Sequence, residues 1–203
     1  MPEAPARRRR AGELLDAIRE ATLEELHERG YQGVTFEGVA RRAGTSKPVL
    51  YRRFSNRADM VVDAIVSTRF SVPPAPLDGP LREDLIRLMR GVMERMGRQG
   101  VTTFRGVIGE VDDATVTRVS TLVLSQFEAW LDGILVRARA AGELGPAAVP
   151  PRVTAAILAL LRHEMLFVYG SGMEPDLEGI VDDVVLPLLR ATTLPDQAPA
   201  SPA

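Results

Sequence analysis

Apolar residues recur every three or four positions through most of this chain, which is the spacing of helices with one buried face. The predicted helices cover residues 11–29, two short segments between residues 35 and 54, a segment from residue 56, then residues 81–97, 102–109, 114–141, 152–170 and a last one starting at residues 174–176. A proline-rich stretch at residues 71–80 separates the early helices from the later ones. The predicted fold class is therefore all-α.

The two short helices at residues 35–54 are joined by a tight turn. Thr35 can cap the first helix because its hydroxyl accepts a free backbone N–H. Gly44 follows the last apolar position of that helix, where a left-handed C-cap costs glycine little. Ser46 can cap the second helix, and Pro48 lies in its first turn, where a missing N–H does no harm. This arrangement predicts a helix-turn-helix, whose second helix enters the major groove of DNA.

The charge of this segment agrees with a DNA-binding surface. Residues 41–57 contain no acid and six basic residues, namely Arg41, Arg42, Lys47, Arg52, Arg53 and Arg57. A compact cationic face that also carries Tyr51 suits contacts with phosphate oxygens. A solvated helical hairpin with a basic face is the plain alternative. The agreement of turn chemistry, helix length and charge favours DNA binding.

Residues 14–65 resemble the N-terminal domain of the TetR family of transcriptional regulators. The resemblance rests on the sequences at residues 14–18, 28–31, 34–36, 39–44, 46–51 and 54–57. It covers about a quarter of the chain as a specific motif. The match over the rest is looser and depends on helix pattern and on phrases such as the one at residues 139–144.

The resemblance implies that the turn and the second, recognition helix touch DNA. The candidate contacts are Thr45, Ser46, Lys47, Pro48, Val49, Tyr51, Arg52 and Arg53, with Arg57 at the start of the next helix. Leu50 and Phe54 should face inward. Thr45 departs from the apolar residue common in the turn, and Glu37 departs from the polar or basic residue that often touches the DNA backbone.

Each candidate contact has an expected partner on DNA. Lys47 and Arg52 are expected at base edges, since a cation can read guanine O6 and N7. Tyr51, Arg53 and Arg57 are expected at phosphates, and Pro48 and Val49 at a thymine methyl.

The predicted domains are a disordered basic arm at residues 1–10, a DNA-binding domain at 11–70, a ligand-binding and dimerisation domain at 81–191 and a disordered tail at 195–203. The arginines at residues 7–10 fit either a solubilising tail or an arm that follows the DNA backbone. Residues 1–70 hold 13 basic and 10 acidic residues, whereas the remainder holds 12 and 17. This asymmetry suggests nucleic acid at one end only.

The second domain is expected from the resemblance to form a homodimer through its last two helices and to bind a small-molecule effector. Residues 152–170 are apolar on more than one face, which fits an interface. The candidate ligand contacts are Met89, Met93, Met96, Phe104, Phe127, Trp130, His163 and Phe167. A methionine or aromatic stripe is more often ordinary core, and His163 is equally suited to an interface.

Composition excludes several other classes of protein function. The chain has no cysteine, two histidines, no glycine-rich phosphate loop and no His-Glu-x-x-His motif, so we expect neither an enzyme, a cofactor nor a metal site. Glu110, Asp112 and Asp113 are interpreted as acids at a helix N-terminus. No apolar run reaches membrane-spanning length, and no signal-peptide core follows the arginine run, so a cytoplasmic location without a membrane partner is expected.

The function predicted is a dimeric transcriptional regulator, a repressor that leaves a palindromic DNA operator when an effector binds. One alternative is a dimeric DNA-binding protein without an effector. A less favoured alternative is an enzyme with an appended helix-turn-helix.

Overall fold

The computed structural model describes residues 4–69, 73, 76–107 and 109–194, with the backbone alone at residues 4–11 and 99. All of the regular elements in these ranges are helical. They are α1 (Ala4–Gly33), α2 (Phe36–Arg42), α3 (Lys47–Tyr51), α4 (Arg57–Arg69), α5 (Leu81–Val107), α6 (Asp113–Ala140), α7 (Pro151–His163), α8 (Leu177–Gly179) and α9 (Leu186–Thr193). The all-α prediction is confirmed.

Glycines interrupt two of the three longest helices, α1 and α5, close to where the predicted helices 11–29 and 81–97 end. Gly30 in α1 has φ 66° and ψ 174°, and Gly97 in α5 has φ 60° and ψ 165°, values outside the helical region. Glycine adopts this left-handed backbone at little cost because it has no Cβ. Each helix therefore continues past its glycine as a short second piece.

The last helices contain π-helical segments that the apolar pattern did not predict. Glu164–Val168 continues α7 and is followed by a 3₁₀ turn at Tyr169–Ser171. Ile180–Val185 lies between α8 and α9.

The chain folds as two compact units whose boundary differs from the predicted one. The first contains residues 1–71 and 99–123, and the second contains residues 72–98 and 124–203. The sequence predicted that 99–123 belongs with the second domain. In the structure Arg118 of this segment pairs with Asp59 of α4, which ties the segment to the first unit.

The core of the first unit is apolar and draws on α1, α2, α3 and α4 as well as the 99–123 segment. Its buried side chains include Ile18, Leu26, Val34, Val39, Leu50, Phe54, Met60, Val61, Ile65, Val101, Val107 and Val119. The second unit has its own core, with Leu81, Leu85, Leu88, Met89, Val92, Phe127, Leu131, Ile134, Leu135, Ile157, Leu161, Val181, Val185 and Leu189.

The N-terminal residues differ from their prediction. The structure assigns residues 4–10 to the first turns of α1, where a disordered arm was predicted; alanine and arginine both have high helix propensity. Residues 1–3 and the predicted disordered tail at 195–203 lie outside the described residues.

The apolar segment at residues 152–170 is less buried than its sequence predicted. Residues 152–170 were predicted to be buried on more than one face, but Leu158 and Leu160 are half-buried and Phe167 is 60% exposed.

By length and composition alone, Asp113–Ala140 and Pro151–Ser171 are long and apolar enough to cross a membrane, contrary to the sequence expectation. Helices of soluble proteins meet the same criterion, so this property by itself carries little weight.

Candidate nucleic-acid interface

The turn after α2 is built as its sequence predicts. The Thr35 hydroxyl accepts a hydrogen bond from the Gly38 N–H at 3.0 Å, which caps the start of α2. At the other end Gly44 has φ 62°, and the Thr45 N–H donates to the Ala40 carbonyl at 2.9 Å. These bonds satisfy carbonyls at the end of the helix and turn the chain sharply toward α3.

The short helix α3 is anchored by Leu50 on its inner face and by Phe54, which lies three residues after its end. Leu50 is fully buried and Phe54 is 5% exposed, as predicted. Pro48 lies in the first turn, but Ser46 makes no capping bond through its side chain, in contrast to the prediction. Because the inner face of α3 is fixed in the core, its other residues are presented to solvent in a defined register.

The predicted contact residues of the turn, of α3 and of the two positions after it are exposed or half-buried. Ser46, Lys47, Pro48, Arg52 and Arg53 are exposed, and Thr45 and Val49 are half-buried. Tyr51 is 61% exposed although it is aromatic.

The Tyr51 ring is supported by a ring of α2. The Phe36 and Tyr51 rings stack with centroids 4.5 Å apart and an interplanar angle of 12°. Phe36 itself is half-buried, at the start of α2. The stack leaves the Tyr51 side chain ordered on the outer face.

Lys47 is paired with Glu37, the acid that departs from the family pattern. The Lys47 Nζ lies 2.6 Å from Glu37 Oε2, and both side chains are largely exposed. The hydrogen bond to Glu37 raises the pKa of Lys47, and the hydrogen bond to Lys47 lowers the pKa of Glu37. Such an exposed pair is weak in water, so Lys47 can exchange its partner for another anion.

Arg42 does not belong to the open cationic face, although the sequence grouped it there. Its guanidinium bonds to Glu28 at 2.6 and 2.8 Å, to Glu24 at 3.1 Å and to Glu25 at 3.2 Å. Glu25 is fully buried. Arg42 thus neutralises carboxylates of α1 and fastens α2 to it. The sequence contained no signal for this pairing, because the acids lie 14 to 18 residues away.

Arg57 also has partners within the first unit. It donates to the Gln32 carbonyl at 3.3 Å and to Glu110 Oε2 at 3.2 Å, and its guanidinium carbon lies 4.4 Å from the Tyr31 ring centroid. The Tyr31 hydroxyl donates to the same Glu110 oxygen at 2.6 Å. Arg57 therefore lies at the start of α4, as predicted, but Glu110 compensates its charge.

Arg52 and Arg53 contrast with these cations. Within the described part of the chain, neither has a side-chain hydrogen bond or ion pair, and both are exposed. Together with the Tyr51 hydroxyl they provide donors of the kind that phosphate oxygens accept.

The start of α4 is fixed by reciprocal hydrogen bonds. The Asp59 N–H donates to Asn56 Oδ1 at 2.8 Å, and the Ser55 N–H donates to Asp59 Oδ2 at 3.1 Å. The other oxygen of Asp59 accepts from Arg118, which also pairs with Asp63 at 3.7 Å. Sequence reasoning missed Arg118, since nothing in its local pattern indicates a partner 59 residues away.

The acids around residue 112 have structural roles. Asp112 Oδ1 accepts from the Thr115 N–H at 2.7 Å, which caps the start of α6 as the sequence interpretation holds. In the described residues no group of three or more His, Cys, Asp or Glu side chains is arranged to hold a metal ion.

The predicted ligand contacts fall in different environments. Met89, Met93, Met96, Phe127 and Trp130 are all buried in the second unit. His163 and Phe167 lie on an exposed surface, where their rings are 5.3 Å apart. Phe104 belongs to the first unit, where it lines a small apolar cavity of about 50 Å³ with Val62 and Val107. The structure thus groups the three methionines, Phe127 and Trp130 in one unit and sets His163 and Phe167 on its surface.

One of these residues also reaches an open groove. Met93 lines a depression of about 580 Å³ in the second unit, together with Arg90, Arg98, Tyr169 and Glu174. Arg98 stacks on the Tyr169 ring at 4.6 Å and pairs with Glu174 at 3.0 Å. The sequence did not indicate this groove.

Known proteins match both parts of the chain. The family described as bacterial regulatory proteins, tetR family, matches residues 18–64, and the family described as tetracyclin repressor-like, C-terminal domain, matches residues 75–184. An uncharacterised HTH-type transcriptional regulator of Mycobacterium bovis is 30% identical over 176 residues, which is 85% of this chain and 86% of that protein. A DNA-binding transcriptional repressor TetR of Mycobacteroides abscessus is 29% identical over 182 residues, or 86% and 93%.

Solved structures agree in fold. A crystal structure of a TetR family transcription regulator aligns with TM-score 0.65 at 24% identity, covering 86% of this chain and 96% of that one. The regulator FadR from Bacillus subtilis, crystallised with stearoyl-CoA, aligns with TM-score 0.56 at 16% identity, covering 87% and 97%.

Proposed function

Because this chain belongs to the TetR family of bacterial transcriptional regulators, we propose that it is a repressor which binds a palindromic operator as a homodimer and leaves it when a small molecule binds. The outer face of α3 carries this proposal. It presents Lys47 and Tyr51 on a helix that Leu50 fixes in the core, and Arg52 and Arg53 follow directly after that helix. Such a helix, exposed and cationic, suits the major groove.

The contacts divide by chemistry. Lys47 and Arg52 read guanine edges, while Tyr51 and Arg53 hold phosphates. Pro48 and Val49 meet a thymine methyl. Thr45 and Ser46 in the turn complete the surface, and Arg57 supplies a phosphate contact once its internal partners release it.

Dimerisation is supported by apolar side chains that remain exposed to solvent in the single chain. Leu158 and Leu160 on α7 are half-buried, while Phe167, Met173 and Val184 are 60%, 58% and 42% exposed. A second copy of the chain would cover this apolar surface, and His163 beside Phe167 would lie in the same interface. Two recognition helices related by a two-fold axis then match two half-sites of a palindrome.

Effector control is proposed to act through the second unit. The sign of regulation follows the relative that is named a repressor, and the stearoyl-CoA of FadR is the ligand of that protein alone. The buried methionines of the second unit, with Phe127 and Trp130, are the proposed effector contacts. An effector acts by favouring a conformation whose recognition helices no longer fit the operator. The regulator acts on bacterial DNA, which places it in the cytoplasm.

The deciding experiment is in vitro selection of DNA from a random pool by the wild type, followed by binding over a salt series. We expect an enriched palindrome, a steep salt dependence and loss of binding in Tyr51→Ala. Val136→Ala is the matched control, since Val136 is 62% exposed on α6 in the second unit. Absence of an enriched sequence, or equal binding by Tyr51→Ala, would refute the proposal.

The effector requires a separate measurement. A thermal-shift screen of metabolites and drugs should yield a compound that raises the melting temperature and releases the selected operator. An operator-binding dimer for which no compound does both would correspond to the effector-independent alternative.

A further inference from the structure

Glu110 connects three elements of the first unit around the guanidinium of Arg57. It lies in the turn between α5 and α6, and its carboxylate meets Tyr31 near the end of α1 and Arg57 at the start of α4. Oε2 accepts from the Tyr31 hydroxyl at 2.6 Å and from Arg57 Nη2 at 3.2 Å, and Oε1 lies 3.4 Å from the same nitrogen. One carboxylate thus holds both the ring and the cation that stacks on it.

The cluster fixes the direction in which Arg57 points. Its guanidinium is stacked on the Tyr31 ring and donates to the Gln32 carbonyl, so the side chain is held from three sides. The hydrogen bond from Tyr31 lowers the pKa of Glu110, and the carboxylate is charged at neutral pH as any ordinary glutamate is. The side chains of Arg57 and Glu110 are nevertheless 28% and 43% exposed. An anion from solution can therefore approach the guanidinium.

We propose that Glu110 competes with a DNA phosphate for Arg57 and so lowers the affinity of the protein for all DNA. Glu110 acts on DNA binding only through Arg57, and in this sense it is a positioning residue. The inference rests on the proposed function, because it assigns Arg57 to a phosphate. Both partners of the exchange are oxyanions. When the phosphate takes the place of the carboxylate, Arg57 keeps an ionic partner and the Tyr31 ring keeps its cation.

The location of Glu110 gives the exchange a regulatory use. The residue belongs to the 99–123 segment and not to the helix-turn-helix itself. A displacement of the α5–α6 turn would change the charge available at the start of α4 while α3 keeps its geometry. Affinity would then change without a change in the sequence that is recognised.

The test compares Glu110→Gln with the wild type on a selected operator and on unrelated duplex DNA, each over a salt series. Glutamine keeps an acceptor for the Tyr31 hydroxyl but removes the charge. We expect both affinities to rise by about five- to tenfold at 0.1 M salt and the slope of log K against log salt to steepen by about one unit, as for one added phosphate contact. Glu20→Gln, an exposed residue of α1, makes the same change in net charge and should leave the slope unchanged.

A double-mutant cycle separates this role from a structural one. Arg57→Ala should weaken binding to both DNAs, and adding Glu110→Gln to it should change nothing further, because the competitor then has no cation to hold. Equal or weaker binding by Glu110→Gln with an unchanged slope, or an additive double mutant, would overturn the proposal. If the wild type binds no DNA in a salt-dependent manner, the proposed function fails first, and that outcome is seen before any variant is compared.

Discussion

The ring of Phe36 lies almost parallel to the ring of Tyr51, with the two centroids 4.5 Å apart. This contact joins the first residue of α2 to the last residue of α3. Because Tyr51 is mostly exposed, the stack is its principal support on the outer face. We therefore expect Phe36 to influence DNA binding through Tyr51, although Phe36 is only half-exposed itself.

Replacement of Phe36 by leucine should weaken operator binding through Tyr51. An aromatic pair contributes about 1 kcal/mol beyond its buried area, so the expected loss is about fivefold. Leucine keeps the apolar contact of α2 with the core, and the melting temperature should change little. Fluorescence anisotropy with a labelled operator measures the effect. If Tyr51→Ala and the double variant bind equally, the two residues act as a unit.

Replacement of Lys47 by alanine should relax sequence preference, because we propose that Lys47, at the start of α3, contacts a base edge. A good side-chain contact to a base discriminates by about 1–3 kcal/mol. Repeating the selection with the variant measures this as a loss of enrichment at one position of each half-site. Arg53→Ala is the comparison, since loss of a phosphate contact should weaken all sequences to a similar degree. If Lys47→Ala retains the full preference, Lys47 contacts the DNA backbone only.

Asp84 should be important for the stability of the second unit. It is fully buried at the start of α5 and accepts from Arg87 at 2.7 Å, from Arg137 at 3.0 Å and from the Gly79 N–H at 3.1 Å. Asp84→Asn removes charge-assisted bonds that are each strong, and both arginines are partly exposed, so the expected loss is about 2–3 kcal/mol. Thermal and urea unfolding measure it. Asp78→Asn is the control, because that carboxylate is 81% exposed.

Gly145 should tolerate no side chain. A Cβ at this position would collide with the backbone carbonyl of Thr193, at the end of α9. The expected cost of Gly145→Ala is about 1–3 kcal/mol, the usual range for overpacking. Gly133 on α6 provides the matched control, because the nearest atom to its added Cβ is 3.8 Å away. Gly133→Ala should stabilise the protein by up to about 1 kcal/mol through helix propensity.

The Arg42–Glu28 pair should make stability depend on pH. The hydrogen bond from Arg42 lowers the pKa of Glu28 below its ordinary value of 4.5. A carboxyl group whose pKa is lower in the folded state stabilises the protein above the unfolded pKa, and this contribution is lost as the pH falls through the folded one. The difference in melting temperature between wild type and Glu28→Gln should therefore be present at pH 7, begin to shrink as the pH falls below 4.5, and vanish once the pH is below the lowered pKa of the folded state. A difference that does not shrink as the pH falls would have another origin.

The sequence predicted what depends on neighbouring residues. Gly44 adopts its left-handed turn and Leu50 and Phe54 are buried, because turn chemistry and helical spacing are local properties. Gly30 and Gly97 interrupt their helices for the same reason. The order and type of the helices followed from these signals.

The sequence did not predict contacts between residues that are far apart in the chain. Arg42 and Arg57 count equally as cations in the sequence, yet acids from other elements compensate both, and only the fold brings them together. The assignment of residues 99–123 to the first unit has the same origin, since Arg118 finds Asp59 across 59 positions. The π-helical segments also escaped, because an apolar pattern near 3.6 residues does not distinguish them from α-helix.

The discontinuous first unit limits how regulators of this type can be recombined. A fragment that ends at residue 71, or a chimera that joins residues 1–71 to a foreign effector domain, leaves behind the segment 99–123. Asp59 is 7% exposed in the intact chain and would lose its arginine, and the apolar residues that face Val101 and Val107 would lose their cover. A chimera that keeps the DNA specificity of this protein should therefore contain both segments, because the turn between α5 and α6 belongs to the same unit as the helix-turn-helix.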